Sequence, residues 1–320
     1  MPREPVKTES HARPPRRAVH GVVLLDKPVG LTSQQALSRA KRLLRAEKAG
    51  HTGTLDPLAG GLLPLCFGAA TKFAQASLEA DKAYRATLRL GQTRRGGDLE
   101  GEVLRERPVA VSEAVLDEAL AAFTGTLQQV PPMHSALKHE GRALYDYARA
   151  GIEVARTPRT VTIHALERVH WSGETLVLDV HCSKGTYVRT LAEDLGERLG
   201  CGAHLAGLRR TASGTLRVEQ AITLEALEAL DEAGREARLL SADVLIAAWP
   251  EVRLAHDEAA RFLSGLRRRL ARPDAPAVRV YGPEPRAFLG SAHITGGELI
   301  ADRLLSPLEV QALLAESPRP

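Results

Sequence analysis

The sequence has few of the features that mark disulfide-linked, secreted or membrane proteins. Its 320 residues include three cysteines, and these lie too far apart for a CxxC pair or a zinc spacing. We expect Cys66, Cys182 and Cys201 each to pack as a small apolar residue. No apolar run approaches the ~18–20 residues of a membrane helix. Residues 1–19 lack the apolar core of a signal peptide, so we expect a flexible basic extension on a cytoplasmic protein.

Several catalytic signatures are also missing. The chain has no GxxxxGK[ST], no GxGxxG after a strand, no HExxH and no GxSxG. Nucleotide-cofactor and metalloenzyme interpretations therefore have little support. Its net charge is only +4, which is weak evidence for a nucleic-acid partner. The arginines are nevertheless clustered, at Arg16–Arg17, Arg94–Arg95, Arg209–Arg210 and 267–269.

Periodicity and end signals predict alternating strands and helices over most of the chain. A length of 320 residues suggests about two domains. From Trp249 onward, short strand candidates alternate with Gly and Pro, which indicates a small β-rich domain. The individual predictions are strands over 21–25, 82–91 and 174–182, helices over 32–44, 112–123 and 186–199, and helix-rich linkage over 221–248.

One short segment, GHTGTLDPLAGG at 50–61, holds four glycines and a single acidic residue, Asp56. A lone carboxylate can act as a covalent nucleophile at an electrophilic carbon, provided that a nearby cation keeps it ionised. Arg189, near the start of a predicted helix, is a candidate for that cation. The alternative is that Asp56 is a turn residue, since Asp-Pro is a common turn dipeptide. A structural role is equally open for four further polar residues, His51, Lys72, Tyr84 and Tyr187.

Five blocks of sequence resemble the TruB family of tRNA pseudouridine synthases in order and spacing. The likeness covers roughly residues 20–220, and the region after about residue 249 resembles a PUA domain, a small RNA-binding pseudo-barrel. The blocks are GVVLLDKPVGLTS at 21–33, the segment from Gly50 to Phe73, DKAYRATLRLGQ at 81–92, and the segments 130–154 and 181–214.

The resemblance implies a fold and a division of the chain. The expected fold class is α/β of the α+β type: a mixed, mainly antiparallel central sheet flanked by helices, plus the small β-rich PUA-like pseudo-barrel. The implied segments are a flexible basic extension over 1–19, a catalytic domain over 20–245 and an RNA-binding PUA-like domain over 246–320.

The resemblance also implies the reaction, conversion of uridine 55 in the T-loop of tRNA to pseudouridine without cofactor or metal. Asp56 matches the family's catalytic aspartate, Tyr187 a tyrosine thought to act as general base, and Arg189 the arginine paired with the aspartate. The implied substrate-binding residues are His51, which contacts the disrupted T-loop, Tyr84, which stacks on the target base, and Lys72 and Leu208. The expected partner is the T-arm of tRNA, and we expect a monomer.

Two departures from the family pattern concern contacts with RNA. After GQT the family usually has Thr-Asp-Thr-x-Asp, whereas this chain has Arg94-Arg95-Gly96-Gly97-Asp98, and we expect this loop to contact phosphate. His134 stands where a tyrosine often follows PPM.

Two alternative functions stay open. One is a non-catalytic RNA-binding or tRNA-folding protein on the same scaffold, which would need no Asp56. The other is a small-molecule hydrolase with a carboxylate nucleophile, but no second acid or base is singled out for it.

Overall fold

A computed structural model describes residues 15–135, 137–283 and 287–316. The strands are, in chain order, β1 Gly21–Lys27, β2 Ala49–His51, β3 Ala59–Phe67, β4 Lys82–Leu90, β5 Gln92–Arg94, β6 Val103–Glu106, β7 Gly125–Gln129, β8 Lys138–His139, β9 Arg142–Ala143, β10 Arg159–Ser172, β11 Thr175–Cys182, β12 Ala203–Ser213, β13 Leu216–Arg217, β14 Ile222–Thr223, β15 Glu251–Arg253, β16 Arg268–Arg269, β17 Ala275–Tyr281, β18 Phe288–Thr295 and β19 Glu298–Leu304. The α-helices are α1 Ser33–Leu43, α2 Ala74–Leu78, α3 Glu113–Ala122, α4 Leu144–Arg149, α5 Val188–Arg198, α6 Leu224–Ala229, α7 Glu232–Glu236, α8 His256–Leu263 and α9 Pro307–Glu316.

The large sheet runs in the order β14-β1-β3-β12-β4-β11-β10-β7, with β2 added beside β3 and β13 beside β12. Its pairs are antiparallel except β1 with β14 and β3 with β12. The second sheet has the order β15-β17-β18-β19-β16. The predicted fold class, a mixed and mainly antiparallel sheet with helices and a smaller β-rich unit, is confirmed.

Local sequence signals predicted several helices and strands correctly. The Thr32 hydroxyl accepts a hydrogen bond from Gln35 N and the Gln35 side chain accepts one from Thr32 N, so the capping box is formed at the start of α1. Ser112 caps α3 as expected. In β4, Ala86, Leu88 and Leu90 are buried on the face that Tyr84 shares. The three cysteines are free and buried, as predicted.

Both faces of the large sheet carry an apolar core. On one face Val22, Leu24, Leu62 and Cys66 pack into the same cluster as Phe288 of the second sheet. On the opposite face two clusters lie side by side, one around α3 and α5 and one around α1. Tyr84 and Leu208 pack against both of these clusters, so they lie where the two meet. That junction holds the site described below.

The chain before β1 is held against the rest of the protein from Arg17 onward. Arg17 exchanges backbone hydrogen bonds with Arg45 and Glu47, and its guanidinium pairs with Glu236. Val19 is buried. Residues 1–14 of the predicted extension lie outside the described residues. Among the described helices, none is long and apolar enough to cross a membrane.

Candidate active site

The loop between β2 and β3 carries Asp56 at the junction of the two clusters. Its backbone is fastened at several points, because Ala59 N donates to Asp56 O at 3.0 Å and Gly30 N donates to Pro57 O at 2.7 Å. Leu55 is buried beneath the loop, whereas the Asp56 side chain is 44% exposed. A well-fixed backbone therefore presents this carboxylate to the cleft.

Arg189, in the first turn of α5, provides the cation for Asp56. Its Nη2 lies 3.1 Å from Asp56 Oδ2, while its Nη1 lies 3.2 Å from Asp98 Oδ2. Arg189 also donates to the carbonyl of His134 at 2.6 Å. The side chains of Arg189 and Asp98 are only 8% and 9% exposed. One guanidinium thus joins a buried carboxylate to an accessible one.

A third acidic group borders this network. Burial, followed by repulsion from Asp194, raises the pKa of Glu193 to about 7. Gly96 and Gly97 have φ values of +82° and +77°, and a Cβ on Gly97 would lie 2.7 Å from the Glu193 carboxyl carbon. The loop that delivers Asp98 therefore needs glycine at this point. Among the described residues, no group of three or more His, Cys, Asp or Glu is placed to hold a metal ion.

The aromatic ring of Tyr84 lies on β4, opposite Arg210 in the β4–β12 register. Burial is the main reason that the pKa of Tyr84 is raised, with a smaller effect of Asp56 in the same direction. Arg210 is fully buried, and its Nε donates to Leu62 O at 2.7 Å. Burial lowers the pKa of Arg210, and Tyr84 opposes that effect. The Tyr84 phenol therefore interacts with the polar groups of the site in addition to packing against the apolar clusters.

Two further basic groups lie under the Asp56 loop. Lys27 is fully buried, and its Nζ donates to Pro28 O at 2.9 Å and to Leu31 O at 2.5 Å. Burial lowers its pKa to about 8, although the charge of Asp56 acts in the opposite direction. His51, at the end of β2, is half-buried, and burial followed by the charge of Arg210 lowers its pKa. Both groups are thus less readily protonated than in water.

Tyr187 and Leu208 complete the set near Asp56. Tyr187 is the N-cap residue of α5, two positions before Arg189, and burial raises its pKa. Leu208 on β12 pairs with Ala59 of β3 and with Ala86 of β4, which places it between the Asp56 loop and the Tyr84 strand. The positions predicted from sequence at 56, 84, 187, 189 and 208 therefore lie together around Asp56.

Lys72 is not brought to Asp56. It lies in the 3-10 helix Gly68–Phe73, and its Nζ is 2.6 Å from Glu309 Oε2 and 2.9 Å from Leu304 O. Next to it, the rings of Phe73 and Phe288 are 5.0 Å apart. The substrate-binding role of Lys72 stays a prediction, and in this structure its ammonium joins the 3-10 helix after β3 to the C-terminal unit.

The arginine clusters are mostly engaged within the chain. Arg94 donates to the Gln92 side chain at 2.8 Å and to Gly101 O at 3.1 Å, and Arg95 pairs with Glu102 at 2.6 Å. The expected contact of this loop with phosphate stays a prediction, and in this structure its guanidinia bond other groups of the loop and of β5. The other clusters behave similarly, with pairs Arg209–Asp26, Arg267–Glu298 and Arg268–Glu258.

Sequence reasoning missed Asp98, Lys27 and Arg210 as members of the site. Asp98 ends a loop that attracted attention only for its arginines. It nevertheless matches the last Asp of the family pattern Thr-Asp-Thr-x-Asp. Lys27 and Arg210 lie inside quoted blocks, but nothing local distinguishes a buried cation from a surface one. Their role emerges only when distant strands are placed side by side.

The fold of the chain is similar to that of solved complexes that contain Cbf5. A crystal structure of a Cbf5–Nop10–Gar1 complex matches with a TM-score of 0.70 and 25% identity, covering 91% of this chain and 87% of that one. An archaeal box H/ACA Nop10–Cbf5 complex matches with a TM-score of 0.69 and 23% identity, covering 92% and 88% of the two chains. At these identities the similarity is one of fold.

The sequence places the chain in a family. Residues 41–188 match the N-terminal domain of the TruB family pseudouridylate synthases, residues 189–246 the tRNA pseudouridylate synthase B C-terminal domain, and residues 250–305 the C-terminal region of pseudouridine synthase II TruB. A tRNA pseudouridine synthase B of Verminephrobacter eiseniae is 56% identical over 317 residues, 97% of this chain and 96% of that protein. One of Burkholderia mallei is 57% identical over 297 residues, 91% and 98%. The chain therefore belongs to the TruB family of pseudouridine synthases.

Proposed function

We propose that this protein converts uridine 55 in the T-loop of tRNA to pseudouridine, with Asp56 as the nucleophile. The observation that carries the proposal is the Asp56–Arg189 pair, in which an accessible carboxylate lies 3.1 Å from a buried guanidinium. The relatives that cover nearly the whole chain are named tRNA pseudouridine synthase B, which supports tRNA as the substrate.

The reaction is an isomerisation. The bond between ribose C1′ and N1 of uracil breaks, the base turns, and a bond from C1′ to C5 forms. The hydrogen on C5 leaves as a proton, and N1 gains one. Asp56 serves by attack on C1′, by attack on C6 of the base, or by assisting elimination to a glycal, and all three routes use the same carboxylate.

Access to the uridine requires that the base leave the folded T-loop. Extrusion costs a few kcal/mol, of which stacking on an aromatic ring returns about 1–3 kcal/mol. We assign that stacking to Tyr84, and contact with the opened loop to His51. Leu208 supplies an apolar contact beside them. Tyr187, which lies at the N-terminus of α5 two positions before Arg189, is assigned the removal of the proton from C5.

The test is tritium release from tRNA transcripts labelled at uracil C5, with uridine 55 either present or replaced by cytidine. Release from the first transcript and none from the second is the expected result. Release from both transcripts would move the reaction to another uridine. Tight, salt-dependent binding of both with no release would favour an RNA-binding or RNA-folding protein without catalysis.

A further inference from the structure

The backbone beside Asp56 is held by a side chain from another element. Ser33, the first residue of α1, accepts a hydrogen bond from Leu55 N at 2.8 Å and donates one to Leu55 O at 3.1 Å. A single hydroxyl thus bonds both backbone groups of the residue immediately before Asp56. Ser33 is only 1% exposed, so water does not compete for these bonds.

The same arrangement recurs on the other side of the cleft. The Gln129 side chain, at the end of β7, accepts a hydrogen bond from Tyr187 N at 3.0 Å and donates one to Tyr187 O at 3.2 Å. Gln129 is 2% exposed. Tyr187 lacks a side-chain cap for α5, and Arg189 follows in the first turn of that helix. The amide of Gln129 therefore fixes the segment that carries both Tyr187 and Arg189.

These two segments lie outside the regular ladders of the sheet. Residues 52–58 and 183–187 belong to no strand, so strand pairing does not set the positions of Leu55 and Tyr187. Each buried side chain replaces a strand partner by offering one donor and one acceptor. Ser33 and Gln129 thus each add a buried fastening beside one member of the Asp56–Arg189 pair, in addition to the backbone hydrogen bonds of the Asp56 loop.

We propose that Ser33 and Gln129 are positioning residues that set the geometry of the Asp56–Arg189 pair through the backbone of Leu55 and Tyr187. The proposal rests on the proposed function, because its readout is pseudouridine formation. Neither side chain needs to touch RNA for this role. Loss of either fastening is expected to slow the chemical step while leaving RNA affinity intact.

Neighbouring residues provide matched controls. Thr32 precedes Ser33 and caps α1 through Gln35, with no bond to the Asp56 loop. Gln128 precedes Gln129 and bonds the Thr160 hydroxyl on the exposed side of the sheet. Thr32→Ala and Gln128→Ala therefore each remove a side-chain hydrogen bond from the same element without loosening Leu55 or Tyr187.

The experiment measures single-turnover tritium release at saturating enzyme, the Kd for tRNA and the Tm of each variant. For Ser33→Ala and Gln129→Ala we expect the saturating rate to fall about 10- to 100-fold, since small misplacements of reacting groups have effects of this size. Their Kd should stay within about threefold of wild type, and both control variants should keep the rate within about twofold, even where Tm falls.

Saturating rates at the wild-type level in Ser33→Ala and Gln129→Ala, measured below their Tm, would overturn the proposal. An equal loss of rate in Thr32→Ala and Gln128→Ala would do the same, because general loosening would then explain it. Should Ser33→Ala fail to fold, the Gln129→Ala and Gln128→Ala pair decides. A wild-type protein that releases no tritium would instead refute the proposed function, and this proposal with it.

Discussion

Arg189 Nη2 lies 3.1 Å from Asp56 Oδ2. The Arg189 side chain is 8% exposed, whereas the Asp56 side chain is 44% exposed. The cation is enclosed by protein, whereas the carboxylate opens to the cleft. A second carboxylate also pairs with this buried charge, because Asp98 Oδ2 lies 3.2 Å from Arg189 Nη1. The pair therefore places a positive charge beside Asp56 and leaves the exposed side of its carboxylate open to a substrate.

Arg189→Ala is expected to damage both stability and activity. The change leaves Asp98 buried without its partner, which costs about 3–5 kcal/mol in the free energy of unfolding. The rate of pseudouridine formation should fall as well, because Asp56 loses its counter-ion. Urea unfolding and single-turnover assays measure the two effects. Arg85→Ala, which breaks the exposed pair with Asp179, is the control and should change little. Equal stability of the two variants would contradict the assignment of Arg189 as a buried partner.

Asp98→Asn tests the lower half of the network. The substitution keeps the shape of the side chain but removes the charge that faces Arg189 Nη1. We expect the free energy of unfolding to fall by about 1–3 kcal/mol and the saturating rate to drop, with tRNA affinity retained. Asp179→Asn, on the exposed face, is the matched control. A rate equal to that of wild type would mean that Arg189 is held without help from Asp98.

The Lys72–Glu309 contact yields a prediction about the two units of the chain. Because both side chains are partly exposed, a double-mutant cycle with Lys72→Ala and Glu309→Gln should give a coupling energy of about 0.5–1 kcal/mol. If the ammonium only holds the C-terminal unit, both single variants should change tRNA affinity equally. Loss of affinity and a shallower salt dependence in Lys72→Ala alone would show instead that Lys72 binds phosphate.

The lowered pKa of Lys27 leads us to expect that the stability of the protein depends on pH. Its pKa is lowered from 10.5 to about 8 in the folded protein, so between these values the unfolded chain binds more protons. The contribution of Lys27 to the free energy of unfolding therefore rises with pH from 8 to 10.5, by up to about 3 kcal/mol. Urea titrations at pH 8, 9 and 10 should show the stability of wild type increasing relative to Lys27→Met. A constant difference across this range would contradict the lowered pKa.

The fold was predictable where local signals and the family resemblance agreed. The capping box at Thr32 and the alternation from Tyr84 to Leu90 correspond to real elements. β3 was harder to find, because AGGLLPLCF is buried on both faces and does not alternate. β12 was missed for another reason: its polar residues, including Arg210, look exposed in sequence but lie between other strands.

The site was predictable only in its outline. Asp56, Tyr187 and Arg189 follow from motifs, whereas Asp98, Lys27 and Arg210 enter through contacts between strands far apart in sequence. Lys72 shows the converse. The family resemblance places Lys72 among the substrate-binding residues, but nothing in the sequence indicates that its ammonium pairs with Glu309 of the C-terminal helix. Such partners depend on how two domains pack, which no local pattern encodes.

The most direct test of the central claim compares wild type with Asp56→Asn in tritium release from a T-arm labelled at uracil C5. The substitution replaces one oxygen and should leave folding and RNA binding intact, which CD and a Kd measurement would verify. We expect release by wild type and none by Asp56→Asn at equal RNA occupancy. Release by Asp56→Asn at the wild-type rate would make Asp56 a turn residue and contradict the account.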